Sequence, residues 1–509
     1  MSVWEKVFKN PRSRNMLASG QASLAVPNIK LPKRSYQLPS LYLGLAIGAT
    51  FTKRTFLCQL GSETIRWNPE NPQNKIDFSV FRVEKVISDS EQEISMGEES
   101  FSNYLSDRGD PACTLFLQPI RFLLATTKYP SFVATYQGQK ILHQSPSNQD
   151  LYKYYLKAQF RYLWEKAHHF YSEIRRFQIG QIVMEYPDYF AAADVKQYRN
   201  WVVEAAQEFF PPILSQEEEV TEIADHLTML PESVITMLHW ITDQIEPKLA
   251  AQEIDLKKLL AKHGILPRPA EPVNFLVVTM GATHSRVVRV KIGSISHMAS
   301  AKRVGETVAL SHNYLGRTGF GGDHISCSFL EEEEERRYGA TPAHRVNTLT
   351  RKVLEDWNKM GNQEGKRHFE ELCGEAYGKA LEKLGELTLK GFSESPENTI
   401  VVLGGKVFAI PYFQNSFKEY LNAHRIPMAR IVAPSSEEVG IDRMCEIIQF
   451  QQKGLGRSFI VKTGVDSEGS QRFTWRIGKV VEGTLVDTLL APEIGRAHVG
   501  TPVTSVNLV

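Results

Sequence analysis

The sequence predicts an α/β protein whose core is built twice. Apolar, strand-like runs alternate with amphipathic helical stretches along the chain, which is the pattern of α/β architecture. A short motif recurs 233 residues apart (281 − 48), as Gly48-Ala49-Thr50-Phe51-Thr52-Lys53 and as Gly281-Ala282-Thr283-His284-Ser285-Arg286. Each copy lies between two apolar runs, and each following run ends in Gly-Ser, at 61–62 and 293–294.

Taken in order, residues 1–39 form a basic arm. Seven cations (Lys6, Lys9, Arg12, Arg14, Lys30, Lys33, Arg34) stand against one acid, Glu5, and four prolines break any long helix. A solvated tail is the favoured reading, and an anionic surface is the partner such an arm would suit. Leu41–Leu60 reads as two strands about a glycine turn. Short runs at Thr114–Leu117 and Phe132–Tyr136 read as strands. Over Lys153–Phe177, the residues Leu156, Phe160, Leu163, Ala167, Phe170 and Ile174 fall on one face of a helix. The adjacent His168 and His169 read as structural. Ile182–Met184 is a buried strand, and Asp194 can cap a helix carrying Val195, Tyr198, Val202, Ala206 and Phe209 inward. Residues 216–262 read as helical, and prolines 267, 269 and 272 as a linker. A second strand cluster runs from Asn274 to about Val290. The Glu331–Glu335 run reads as solvated. Two helices follow, with faces Val346–Met360 and Phe369, Leu372, Ala376, Ala380 and Leu384. Thr399–Leu403 is a β-branched strand entering Gly404-Gly405, and Arg457–Leu490 again reads as strands.

Composition sets limits. Of 509 residues, 59 are Lys or Arg and 58 Asp or Glu, so the formal charge is +1 and nothing global points to nucleic acid. The five cysteines are scattered with no Cys-x-x-Cys pair, which indicates neither a zinc site nor a disulfide framework and favours a reducing, cytoplasmic compartment. No run reaches the ~20 apolar residues of a transmembrane helix. The stretch Glu493–Thr504, EIGRAHVGTPVT, resembles a translated sequencing adapter, so residues 493–509 are expected to be foreign to the natural chain.

The repeat suits an anion. A glycine in a tight strand–strand turn lets backbone N–H groups approach an oxyanion. The hydroxyls of Thr50, Thr52 and Thr283 can donate further hydrogen bonds, and Lys53 or Arg286 can add charge. Two such turns on two lobes would grip a phosphate chain from both sides.

With these turns in place, the chain resembles the actin-like ATPase superfamily, and within it the nucleotide-binding domain of the seventy-kilodalton heat-shock chaperones. Further stations are similar to that branch: Tyr129–Val133 with Gly138 and Ile141-Leu142, Ile182–Phe190, Leu230–Ser233, Phe320-Gly321-Gly322, and Val401–Gly405 followed by Pro411 and Phe413. They occur in family order over residues 40–435. The resemblance implies a two-lobed, duplicated ribonuclease H-like fold, with a first lobe over 40–268, a second over 269–434 and an incomplete segment over 435–492. It implies ATP or ADP in the cleft between the lobes, held at Gly48, Ala49, Thr50, Thr52, Lys53, Gly281, Ala282, Thr283, Gly321, Gly322, Gly404 and Gly405.

The chemistry departs from the family. The aspartates of its two phosphate motifs, which position hydrated Mg²⁺ and the attacking water, are here Ala46 and Thr279. Neither side chain carries the negative charge that Mg²⁺ binding uses, and one preorganised electrostatic group is worth about 10²–10³ in rate. The expectation is therefore a pseudo-ATPase with no metal site that works by binding a protein partner. One rival is an active ATPase or kinase with carboxylates relocated to Glu185, Glu232 or Asp323; another is a ligand-free scaffold.

Overall fold

The computed structural model describes residues 39–49, 51–60, 63–69, 75–88, 91–97, 99–100, 114–117, 135–136, 139–140, 148–172, 174, 177–210, 213–214, 220–221, 223–244, 256–266, 272–282, 284–293, 308–322, 325, 363–434, 442–452, 459–464, 475–481 and 484–490. The basic arm, the Tyr129–Val133 station, the 346–360 helix and the adapter-like tail lie outside them.

Two mixed sheets organise the chain. The first contains β1 (Ser40–Ile47), β2 (Phe51–Leu60), β3 (Glu63–Arg66), β4 (Ile76–Phe78), β5 (Gln178–Tyr186) and β6 (Leu227–Pro231). Its order is β6-β5-β1-β2-β3, with β4 also on β2. β1, β2 and β3 form an antiparallel meander, whereas β5 and β6 run parallel to β1. The second contains β7 (Val273–Met280), β8 (Ser285–Ile292), β9 (Val308–Thr318), β10 (Thr399–Gly404), β11 (Ile431–Val432) and β12 (Phe459–Gly464), in the order β11-β10-β7-β8-β9-β12. Again three antiparallel strands are followed by two parallel ones. The first five strands of each sheet thus share one order and one set of directions.

The repeat extends to register. β1 pairs β2 from Ser40↔Gln59 to Ile47↔Thr52, and β7 pairs β8 from Val273↔Ile292 to Met280↔Ser285. Adding 233 to any pair of the first ladder gives a pair of the second. A slip of one residue would turn every core side chain toward the wrong face, so equal registers let one packing scheme serve twice.

Among the described residues there are seven α-helices: α1 (Asn148–Phe170), α2 (Ala192–Gln207), α3 (Glu232–Asp243), α4 (Leu256–Lys262), α5 (Gln363–Ser393), α6 (Pro411–Ala423) and α7 (Asp442–Gln452). α1 brings Tyr152, Tyr155, Leu156, Phe160 and Leu163 into the first core, as its periodicity requires. It stops seven residues short of the expected end at Phe177, and Tyr171 continues into a turn. α2 buries Tyr198, Val202 and Ala206. Asp194 caps it from inside its first turn, its carboxylate accepting the Ala191 N–H at 2.9 Å. α5 and α6 build the second core around Phe369, Leu384, Phe413 and Phe417.

The expectation of continuous helix over 216–262 is corrected. A 3-10 turn spans Ile223–His226, Leu227–Pro231 is a strand paired with β5 from Ile182↔Leu227 to Tyr186↔Pro231, and α-helix starts at Glu232. Tertiary pairing with a buried neighbour overrides the weak helical propensity of five residues.

α3 follows the first sheet in the chain but lays Ile241, Val234 and Trp240 into one core with Phe275, Val277 and Val402 of the second. α7 follows β11 of the second sheet and places Met444, Ile447 and Ile448 in that same core, together with Tyr42, Ala46 and Leu57 of the first. The Thr55 hydroxyl and the Cys445 thiol lie 2.6 Å apart, tying α7 to β2. The two sheets thus exchange their following helices and share one apolar interior. β12 pairs in parallel with β9, from Val308↔Phe459 to Asn313↔Gly464. No helix among the described residues is long and apolar enough to cross a membrane.

Candidate functional site

Both turns close on the same hydrogen bond. Gly48 N–H donates to Phe51 O at 3.0 Å, and Gly281 N–H donates to His284 O at 3.1 Å. These two amides therefore hold the turns together and are not free for an anion. Gly322 N–H is likewise engaged, donating to Gly281 O at 2.9 Å. Thr50 and Thr283 lie outside the described residues.

Around the second turn, the structure brings together six of the twelve residues read from sequence. A Cβ on Gly321 would lie 2.4 Å from Ala282 O, so the Gly-Gly segment packs directly on the turn. Gly405 has φ +92°, and a Cβ there would lie 2.3 Å from Met280 O. Only glycine allows both the left-handed backbone and this approach to the end of β7. Gly404 pairs with Thr279 across the parallel ladder. Gly281, Ala282, Gly321, Gly322, Gly404 and Gly405 thus surround one strand end.

Thr52 does not join this site. It is buried beneath the first turn, its hydroxyl 2.9 Å from the Ser79 hydroxyl and 2.6 Å from that of Tyr155. Its counterpart Ser285 donates to Phe320 O at 2.7 Å. Both side chains are internal braces for their hairpins.

Ala46 and Thr279, the two positions at which the resemblance would place an aspartate, are buried. Ala46 lies opposite Lys53 in the first ladder, and Thr279 opposite Arg286 in the second. Residues directly opposite share a face of the sheet. Each of these two uncharged positions is therefore faced by a cation that the hairpin itself supplies.

Arg286 reaches from the second sheet to residues that follow strands of the first. Its Nε donates to Asp188 Oδ2 at 2.7 Å, and its terminal nitrogen pairs with Glu232 at the start of α3. Asp188 is fully buried in the turn after β5 and also accepts from His312 Nε2 at 2.9 Å and from Ser233 N–H at 3.0 Å. Burial by itself would raise the Asp188 carboxyl, but Arg286, His312 and Ser233 overcome it and hold the group well below the usual carboxylate range. A second buried pair joins Arg443 of α7 to Glu185 of β5 at 2.8 Å. Burial pushes the Glu185 carboxyl up, with Arg443 pulling the other way.

Lys53 stands among these groups, half-buried. Burial first, then the neighbouring Arg443 cation, pull its amine down to about 7, against the opposing pull of Glu185 and Glu232; Lys406, beyond Gly405, also lowers it.

Glu185 and Glu232, the carboxylates the sequence reading offered for an active ATPase or kinase, are each ion-paired with an arginine. Asp323 lies outside the described residues. Sequence reasoning missed the roles of Asp188, His312 and Arg443. Asp188 sits in the Tyr186-Pro187-Asp188 turn, visible as a turn but with nothing local to mark its partners 98 and 124 residues away. Compared with protein-family models and with the curated proteins, the chain matches none.

Proposed function

We propose that this is a two-lobed, actin-like protein of heat-shock-chaperone type that binds ATP or ADP between its two glycine turns, does not turn it over efficiently, and acts by binding a protein partner. The observation that carries this reading is the duplicated hairpin. Two ladders in identical register end in the same turn, and in both the acid position is occupied by an uncharged residue facing a cation. The exchanged helices α3 and α7 support the reading further, since they join the two halves where a ligand could bias their relative position.

The residues present do not fit Mg²⁺. A hydrated divalent cation is held through one or two carboxylates with free oxygens. Here Asp188 already accepts from three donors, Glu232 is paired with Arg286, and Glu185 with Arg443. No catalytic step is assigned to the metal.

The test is calorimetry of the full chain with ATP and with ADP, alongside a turnover assay. Binding with turnover far below one per second is the expected result. Turnover near one per second, a modest enzyme value, would exclude the pseudoenzyme. If that turnover then disappeared in Glu232→Gln, the activity would belong to a relocated carboxylate.

A further inference from the structure

We infer that this site takes the phosphate chain of a nucleotide as a bare anion, with side-chain cations supplying the neutralisation that a divalent metal supplies elsewhere. The inference rests on the nucleotide reading above and adds to it the ionic form of the ligand.

The charge inventory around the strand ends carries the argument. Four cations, Lys53, Arg286, Arg443 and Lys406, act on the same small region as three carboxylates, Asp188, Glu185 and Glu232. Each carboxylate is ion-paired with one of the two arginines, and Asp188 also with His312. Lys53 has neither an ion pair nor a hydrogen bond among the described residues. It projects from the first turn, opposite the vacated acid position at Ala46. A divalent cation entering here would meet committed carboxylates and a surplus of positive charge. An oxyanion would meet the reverse.

Unpartnered buried groups point the same way independently. Arg443 is 2% exposed, yet its Nε has no hydrogen-bond partner. Thr279 is 1% exposed, and its hydroxyl, at the vacated acid position of the second turn, also has none. Buried donors are normally satisfied. A guanidinium N–H and a hydroxyl left open beside Lys53 and Gly404 are the donors a phosphate oxygen would use. Lys53 would then regain its proton on binding, because the anion offsets the burial and the Arg443 repulsion that together suppress its charge.

The experiment is isothermal titration calorimetry on the full chain in three ligand conditions: ATP in EDTA, ATP with excess Mg²⁺, and inorganic triphosphate in EDTA. Affinity for ATP is expected to be at least as high in EDTA as in Mg²⁺, with triphosphate competing for the same site. Lys53→Met should weaken ATP binding in EDTA by about tenfold or more, the scale of one charge-assisted hydrogen bond. Lys53→Arg should restore most of it, with thermal unfolding checking that both variants fold. ATP binding seen only with Mg²⁺ would overturn the inference and leave nucleotide binding standing. ATP binding in EDTA indifferent to Lys53→Met, or triphosphate that ATP fails to displace, would also overturn it. Absence of ATP binding in every condition would overturn the nucleotide reading itself.

Discussion

The two hairpins share a backbone and differ in what their cations do. In the second, Arg286 is locked to Asp188 and Glu232 across the junction of the sheets. In the first, the equivalent Lys53 has no such partner, and burial suppresses its charge. The contrast separates two demands on one repeated element. Strand order, register and the turn hydrogen bond serve packing and recur unchanged. The side chain at the turn's end is released from that demand, and it has become a structural tie in one copy and a candidate ligand-binding group in the other. Arginine suits the first role, since its fork can engage two carboxylates at once; lysine, a compact charge whose pKa shifts readily, suits the second.

The largest expected effect exploits this contrast. Arg286→Met removes one half of a buried ionic network and leaves Asp188 with only His312 and Ser233, so it should cost about 3 kcal/mol in denaturant unfolding. Lys53→Met removes a desolvated cation without a partner, so stability should hold or rise. Equal losses in the two variants would erase the distinction between tie and binding group.

A smaller difference lies in the turns. A Cβ on Gly48 would meet Phe51 O at 2.9 Å, whereas on Gly281 it would meet His284 O at 3.3 Å. Gly48→Ala should therefore cost about 1–3 kcal/mol, as overpacking against backbone does, and Gly281→Ala clearly less. The reverse order in urea unfolding would show that the two turns are not held alike.

The smallest effect is in pH dependence. With its folded value near 7 and its ordinary value at 10.5, Lys53 binds fewer protons folded than unfolded between those limits. Its contribution to stability therefore rises with pH through that window. Asp188 behaves oppositely at the acid end: its contribution is present above the ordinary carboxylate value of 3.8 and is lost as pH falls below it. Urea unfolding at pH 7 and pH 9 should show that Lys53→Met removes part of the upward slope seen in the wild type. An unchanged slope would place the lysine in water.

Much of the frame is legible in the sequence because its signals are local. Gly-Ala-Thr between apolar runs marks both hairpins, and helical spacing marks α1, α2 and α5. The strand Leu227–Pro231 is not legible, because five apolar-rich residues next to a helix carry no period of their own, and only β5 makes them a strand. The site is half legible. The glycines around β7 announce themselves, but the pairing of Asp188 with Arg286, or of Glu185 with Arg443 from a distant helix, is a property of the folded chain alone. Thr52 looked like a ligand because the motif includes it, and pairing parity sends its hydroxyl into the core.

The central claim is that both turns contact one nucleotide. Hydrogen exchange of the full chain with and without saturating ATP, read over residues 44–54 and 277–286, tests it most directly. The account predicts slower exchange at both turns together when ATP is present. Protection of one turn alone, or of neither, would contradict it.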